Sequence, residues 1–193
     1  VISGYYSWIN ISITNVLILP AIFVALILGG VTIYKKHLSP ITVPIYAVIQ
    51  GVFLGAISYT FNSLYDGIVI TAISYTLSIL FVMLTLYRTG IIKPTENFKL
   101  GVAAGTGGIA LIYLANFVMS FFGTGLSIMD INNASMYSIG FSLLVIVMAS
   151  LNLVVDFDFI EEGSEKRAPK YMEWYGAFGL LVTLIWLYLE ILR

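Results

Sequence analysis

The sequence has no cysteine and one histidine, His37. Disulfides, thiolate metal sites and cysteine nucleophiles are thereby excluded, and no His-rich zinc cluster can form. No nucleophile–base set or metal pair stands out, so no enzyme and no resident cofactor is expected. Charge is scarce too. Asp, Glu, Lys and Arg make up 10% of the 193 residues, against roughly 25% in a soluble domain. So few charges cannot cover a water-soluble globule. They nearly cancel, at −1 overall, which gives a nucleic-acid partner no electrostatic footing.

Apolar residues fill the space that charge leaves. The chain is 60% hydrophobic, with a mean hydropathy of +0.99. A spanning helix needs about 20 mostly apolar residues. Six stretches meet that need: about 15–34, 41–61, 67–87, 100–122, 135–159 and 172–193. The expected fold class is all-α, a polytopic transmembrane helix bundle forming one domain over residues 1–193. Its first partner is the lipid bilayer. No basic residue precedes the first stretch, which therefore reads as a span and not as a signal peptide. The opening VISGYYSWIN is aromatic and uncharged, which suits a membrane–water interface. Without an initiating Met, it is expected to follow an earlier hydrophobic segment.

The basic residues set an expected orientation. Lys35 and Lys36 fall in loop 35–40, Arg88, Lys93 and Lys99 in loop 88–99, and Lys166, Arg167 and Lys170 in loop 160–171. The alternate loops, around Asp66 and Asp130, carry none. Eight of the nine basic residues, all but Arg193, thus mark alternate loops, which the positive-inside rule places in the cytoplasm.

Small and polar residues form stripes along the helices. Gly51, Gly55, Ser58 and Asn62 share a face of the second span, and Gly101, Gly105, Gly108 and Ala115 share one on the fourth. Such stripes let helix backbones approach closely, or line a polar path through the bundle. On the fifth span the stripe runs Ser138, Ser142, Ala149, Asn152, Asp156. The Asn152 amide, at i−4, is expected to reach the Asp156 carboxyl. Asp158 points about 200° away. Glu161 and Glu162 read as solvated surface, available to Lys166 or Arg167. A charge in hydrocarbon costs at least ~2.5–3.5 kcal/mol, so an acid there faces a bundle interior, a partner or water. Asp156 is either such an acid or an interfacial one that ends its helix. On the last span Gly176, Gly179, Thr183, Trp186 and Glu190 share a stripe. Glu190 is either a second interior acid or the i+3 partner of Arg193.

Several segments together resemble the Bax inhibitor superfamily, and a bacterial branch of it most. They are PIYAVIQGVFLGAIS at 44–58, GIVITAIS at 67–74, LNLVVDFDFIEEG at 151–163 and APKYMEWYGAFGLLVTLIWLYLEILR at 168–193. The resemblance runs from about Lys35 onward. It implies seven helices with the last one central, so that a chain showing six lacks the first. It also implies a bacterial plasma membrane, a pH-sensitive leak of calcium, and a role in cell-death or stress responses. In the family an acid on each of the last two helices forms a proton-sensitive latch. By motif these are Asp156 and Glu190, with Asn152 beside the first.

Two carboxyls in a low-dielectric site cannot easily both ionise. Sharing a proton holds the helices together, and losing it leaves charges that admit a cation. Calcium prefers oxygen ligands, so Asp156 and Glu190 are also candidate transient calcium ligands. Relatives carry an acid where Gln50 stands, which leaves Gln50 only a hydrogen-bonding part. If the last helix runs straight from Pro169, Glu190 lies about 30 Å along it. Glu173, near its start, is then the alternative neighbour of Asp156. The second functional expectation is a non-conducting interaction protein that modulates a membrane protease, another membrane protein or a stress response.

Overall fold

In hydrocarbon every backbone N–H and C=O needs an internal partner, and a helix supplies them within one segment. In a computed structural model, residues 2–126, 129 and 135–193 are described, without the side chains of 11–17 and 19. Asp130 lies outside the described residues. Regular structure among these residues is helical throughout. The α-helices are α1 (Ile2–Ile9), α2 (Ile11–Tyr34), α3 (Ser39–Leu64), α4 (Ile68–Arg88), α5 (Glu96–Phe121), α6 (Met136–Glu165) and α7 (Tyr171–Leu192). The five from α3 to α7 are long and apolar enough to cross a membrane, and Pro20–Tyr34 within α2 is a shorter apolar helix. The chain is an all-α protein of the membrane-bundle class.

Three boundaries depart from the hydropathy pattern, each for a local reason. The aromatic opening is itself a helix, α1, separated from α2 by Asn10 alone. Helix α5 begins four residues before the expected 100 because Thr95 caps it. The Thr95 hydroxyl accepts from the Phe98 N–H at 3.2 Å, and Glu96 sits in the first turn, where a carboxylate suits the helix dipole. Helix α6 runs on past 159 to Glu165, with Glu162 and Lys166 ion-paired one turn apart.

The end of α6 is a Schellman motif, Ala168 N–H bonding Gly163 O at 2.9 Å and Arg167 N–H bonding Ser164 O at 3.1 Å. Arg167 takes the left-handed position with φ 49°. The same motif closes α4, with Gly90 at φ 71°, the residue that fits this position without steric cost.

The chain divides into two compact units. The first comprises Val1–Ile73, Phe159–Val182 and Leu192. Here Gly51 and Gly55 do pack closely, and what they pack against is α1. The Ser7 hydroxyl donates to Val52 O at 2.8 Å, and a Cβ on Gly55 would overlap the Gly4 carbonyl. Ala25, Val43, Tyr46 and Phe178 form the buried core of this unit, the Tyr46 and Phe178 rings 5.0 Å apart. Buried Ser39 lies 2.7 Å from Tyr171 O, tying the start of α3 to the start of α7. Gln50 donates to the Tyr46 hydroxyl at 2.9 Å.

Candidate functional site

The second unit comprises Ser74–Asp158, Thr183–Ile191 and Arg193. Its polar residues converge from three helices. On α6 the stripe of Ser142, Asn152 and Asp156 continues, with Val145 and Ala149 fully buried along it. On α5 the facing line is Lys99, Thr106 and Tyr113. On α7 it is Thr183 and Glu190. Lys99, Thr106, Tyr113 and Ser142 each meet a partner on another helix.

At one end of this track the Lys99 ammonium lies 2.7 Å from Asp158 Oδ2, and 3.4 Å from exposed Glu96. Asp158 thus joins α6 to α5. The rotation away from Asp156 is real, but α5 occupies that side. Next comes Asp156. Thr183 on α7 lies beside its carboxyl, and its Oδ2 is buried with no hydrogen-bond partner.

One turn further, Asn152 Nδ2 donates to Thr106 Oγ1 at 2.6 Å and to Met148 O at 3.0 Å. The expected amide–carboxyl bond between Asn152 and Asp156 is therefore not made. A hydroxyl on α5 and the carbonyl of the preceding turn take the amide's donors.

At the other end Glu190 is buried among polar partners. The Tyr113 hydroxyl donates to Glu190 Oε2 at 2.6 Å. Arg193 donates through Nε to Glu190 Oε1 at 3.2 Å, ion-pairs through Nη2 with the same oxygen, and reaches Ser142 Oγ at 3.0 Å. Its guanidinium stands 5.9 Å from the centre of the Phe141 ring. Both readings of Glu190 meet here, since it is interior and also the partner of Arg193.

The structure does not join Asp156 to Glu190. Thr183, which lies beside Asp156, precedes Glu190 by two helical turns, roughly 10 Å. Glu190 is bonded to Tyr113 and Arg193, not to Asp156. Glu173, the alternative neighbour, is an exposed residue in the first turn of α7 in the other unit, where it lines an open cleft with Lys166 and Arg167. Among the described residues no group of three or more His, Cys, Asp or Glu is placed to hold a metal ion. The packing stripe on α5 is also corrected. Gly105 meets the Met148 side chain, but Gly101 and Gly108 are exposed, and a Cβ on either would touch nothing within 4 Å. The buried apolar line of α5 is Val102 and Ile109, one residue round from those two glycines.

Sequence alone takes Lys99 as a loop charge and leaves out Thr106 and Tyr113. Their sequence signal was present: polar side chains seven residues apart lie almost on one line of a helix.

A family model described as Bax inhibitor 1 like matches residues 1–193. No curated protein matches the chain, and no solved structure does.

Proposed function

Because the chain belongs to the Bax inhibitor 1 like family, we propose that it is a pH-responsive cation leak protein with calcium as the permeant ion. It is multi-pass in architecture. Asp156 is the proton-responsive group, and Asn152, Thr106 and Thr183 line the path beside it. The observation that supports this reading is the buried, unpartnered Oδ2 of Asp156. A polar atom held without a partner away from water costs free energy, and a charged one costs more. Protonation relieves that cost. Deprotonation restores it and favours entry of water and a cation. Calcium takes six to eight oxygens, so a lone carboxyl with two hydroxyls is a passing site and not a resident one.

Calcium flux into proteoliposomes is expected to be higher at about pH 8 than at about pH 6. Asp156→Asn, which keeps the shape of the neutral acid, is expected to remove most of that response. Glu161→Gln and Glu162→Gln are expected to retain it. If Asp156→Asn keeps the full response, another group is the sensor. A parent chain that passes no calcium at any pH would leave the non-conducting interaction role as the better reading.

The plasma membrane of a bacterium is the proposed location, with loops 35–40, 88–99 and 160–171 in the cytoplasm. Eight of nine basic residues support this orientation. Reporters fused after Lys36, Lys99 or Arg167 are expected to read cytoplasmic, and one at Asp66 external. A cytoplasmic signal at Asp66 would reverse the topology.

A further inference from the structure

The Arg193 end of the track contains a charge that the leak reading does not use. Three helices meet there through four polar side chains: Tyr113 from α5, Ser142 from α6, and Glu190 and Arg193 from the end of α7. Pairing alone would hold Arg193 against Glu190 on its own helix. The guanidinium also reaches Ser142, on the same α6 stripe as Asn152 and Asp156. It therefore ties the end of α7 to the α6 line. The order of exposure matters as well. The Glu190 side chain is 4% exposed and the Arg193 side chain 17%. The guanidinium is thus the more accessible of the two charges.

We infer that Arg193 is a charge barrier, closing the end of the polar track remote from Asp156 to cations while Glu190, Ser142 and Phe141 fix its guanidinium in place. The inference deepens the leak reading and rests on it for the identity of the path. A fixed positive charge in a narrow polar passage excludes cations by electrostatics. Low local dielectric magnifies the effect, and the guanidinium does not deprotonate in proteins. The barrier is thus constant with pH and acts in series with Asp156. Opening needs Arg193 to leave Ser142.

Calcium flux and chloride flux are measured in proteoliposomes at both ends of the pH range for the parent, Arg193→Gln, Arg193→Lys and the double variant Glu190→Gln/Arg193→Gln. Arg193→Gln is expected to raise calcium flux at least about tenfold at the higher pH, where Asp156 no longer limits it. Chloride flux is expected to stay at the parent's level, which a bundle that had simply loosened would not achieve. Arg193→Lys, which keeps the charge, is expected to stay at the parent's level. The double variant leaves no buried charge unpaired and is expected to conduct as Arg193→Gln does. It decides the matter if the single variant does not reach the membrane. Parent-level calcium flux in the double variant overturns the barrier, as does an equal rise in chloride. A pH-dependent parent with unaltered flux in the variants removes the barrier and keeps the leak reading. A pH-insensitive parent with raised calcium flux in the variants keeps the barrier and removes Asp156 as sensor. Variants and parent that are all silent remove both.

Discussion

In Arg193→Met the Glu190 carboxylate is expected to lose its counter-ion, at a cost of ~3–5 kcal/mol. The size follows from burial. Glu190 has little access to water, and the Tyr113 hydroxyl alone does not replace a guanidinium. A charge stranded in this way destabilises far more than the intact pair stabilises. Glu190→Gln in the same chain is therefore expected to recover most of the loss, because no charge then stays behind. Thermal melting in detergent of the two single variants and the double one measures the coupling. Additive losses would mean that the pair is not coupled and that the Arg193 contacts contribute separately.

Gly55→Leu is expected to separate α1 from α3. Even a Cβ at residue 55 overlaps the Gly4 carbonyl, carbon and Cα, all backbone atoms that cannot turn aside. Overpacking of this kind costs ~1–3 kcal/mol or more, and a leucine adds three further carbons. Gly105 provides the contrast. A Cβ there meets the methyl end of Met148, a flexible side chain that can move. Gly105→Ala is expected to stay within ~1 kcal/mol of the parent, since helix propensity favours alanine by about that amount. Melting temperatures that fall equally for Gly55→Leu and Gly105→Ala would mean that backbone contact is not what distinguishes the two sites.

The spans were legible because lipid demands long apolar runs, and α3, α4 and α7 lie within three residues of their expected bounds. The ends of α5 and α6 were less so. Thr95, Glu162 and Arg167 determine them, through caps and turns that hydropathy does not register. In the site, helical periodicity placed Ser142, Asn152, Asp156, Thr183 and Glu190 on inward lines, and the structure sets each against a neighbouring helix. Periodicity gives a direction and not a partner. Asn152 faces inward as its spacing requires, yet it bonds Thr106 and not Asp156. The glycines of α5 misled for a related reason. A small residue permits close approach but does not compel it, and Gly101 and Gly108 are approached by nothing within 4 Å.

One line on α5 has a mechanical consequence. Lys99 is bonded to Asp158, Thr106 to Asn152 and Tyr113 to Glu190. Seven residues fall about 20° short of two full turns, so the three anchors lie on one shallow left-handed seam. A modest rotation of α5 about its own axis would strain all three contacts together, and a slide along the axis would do the same. Helix α5 therefore behaves as a key with three teeth in one lock. It engages or releases as a whole, and the groups it touches, far apart along α6 and α7, share that single motion.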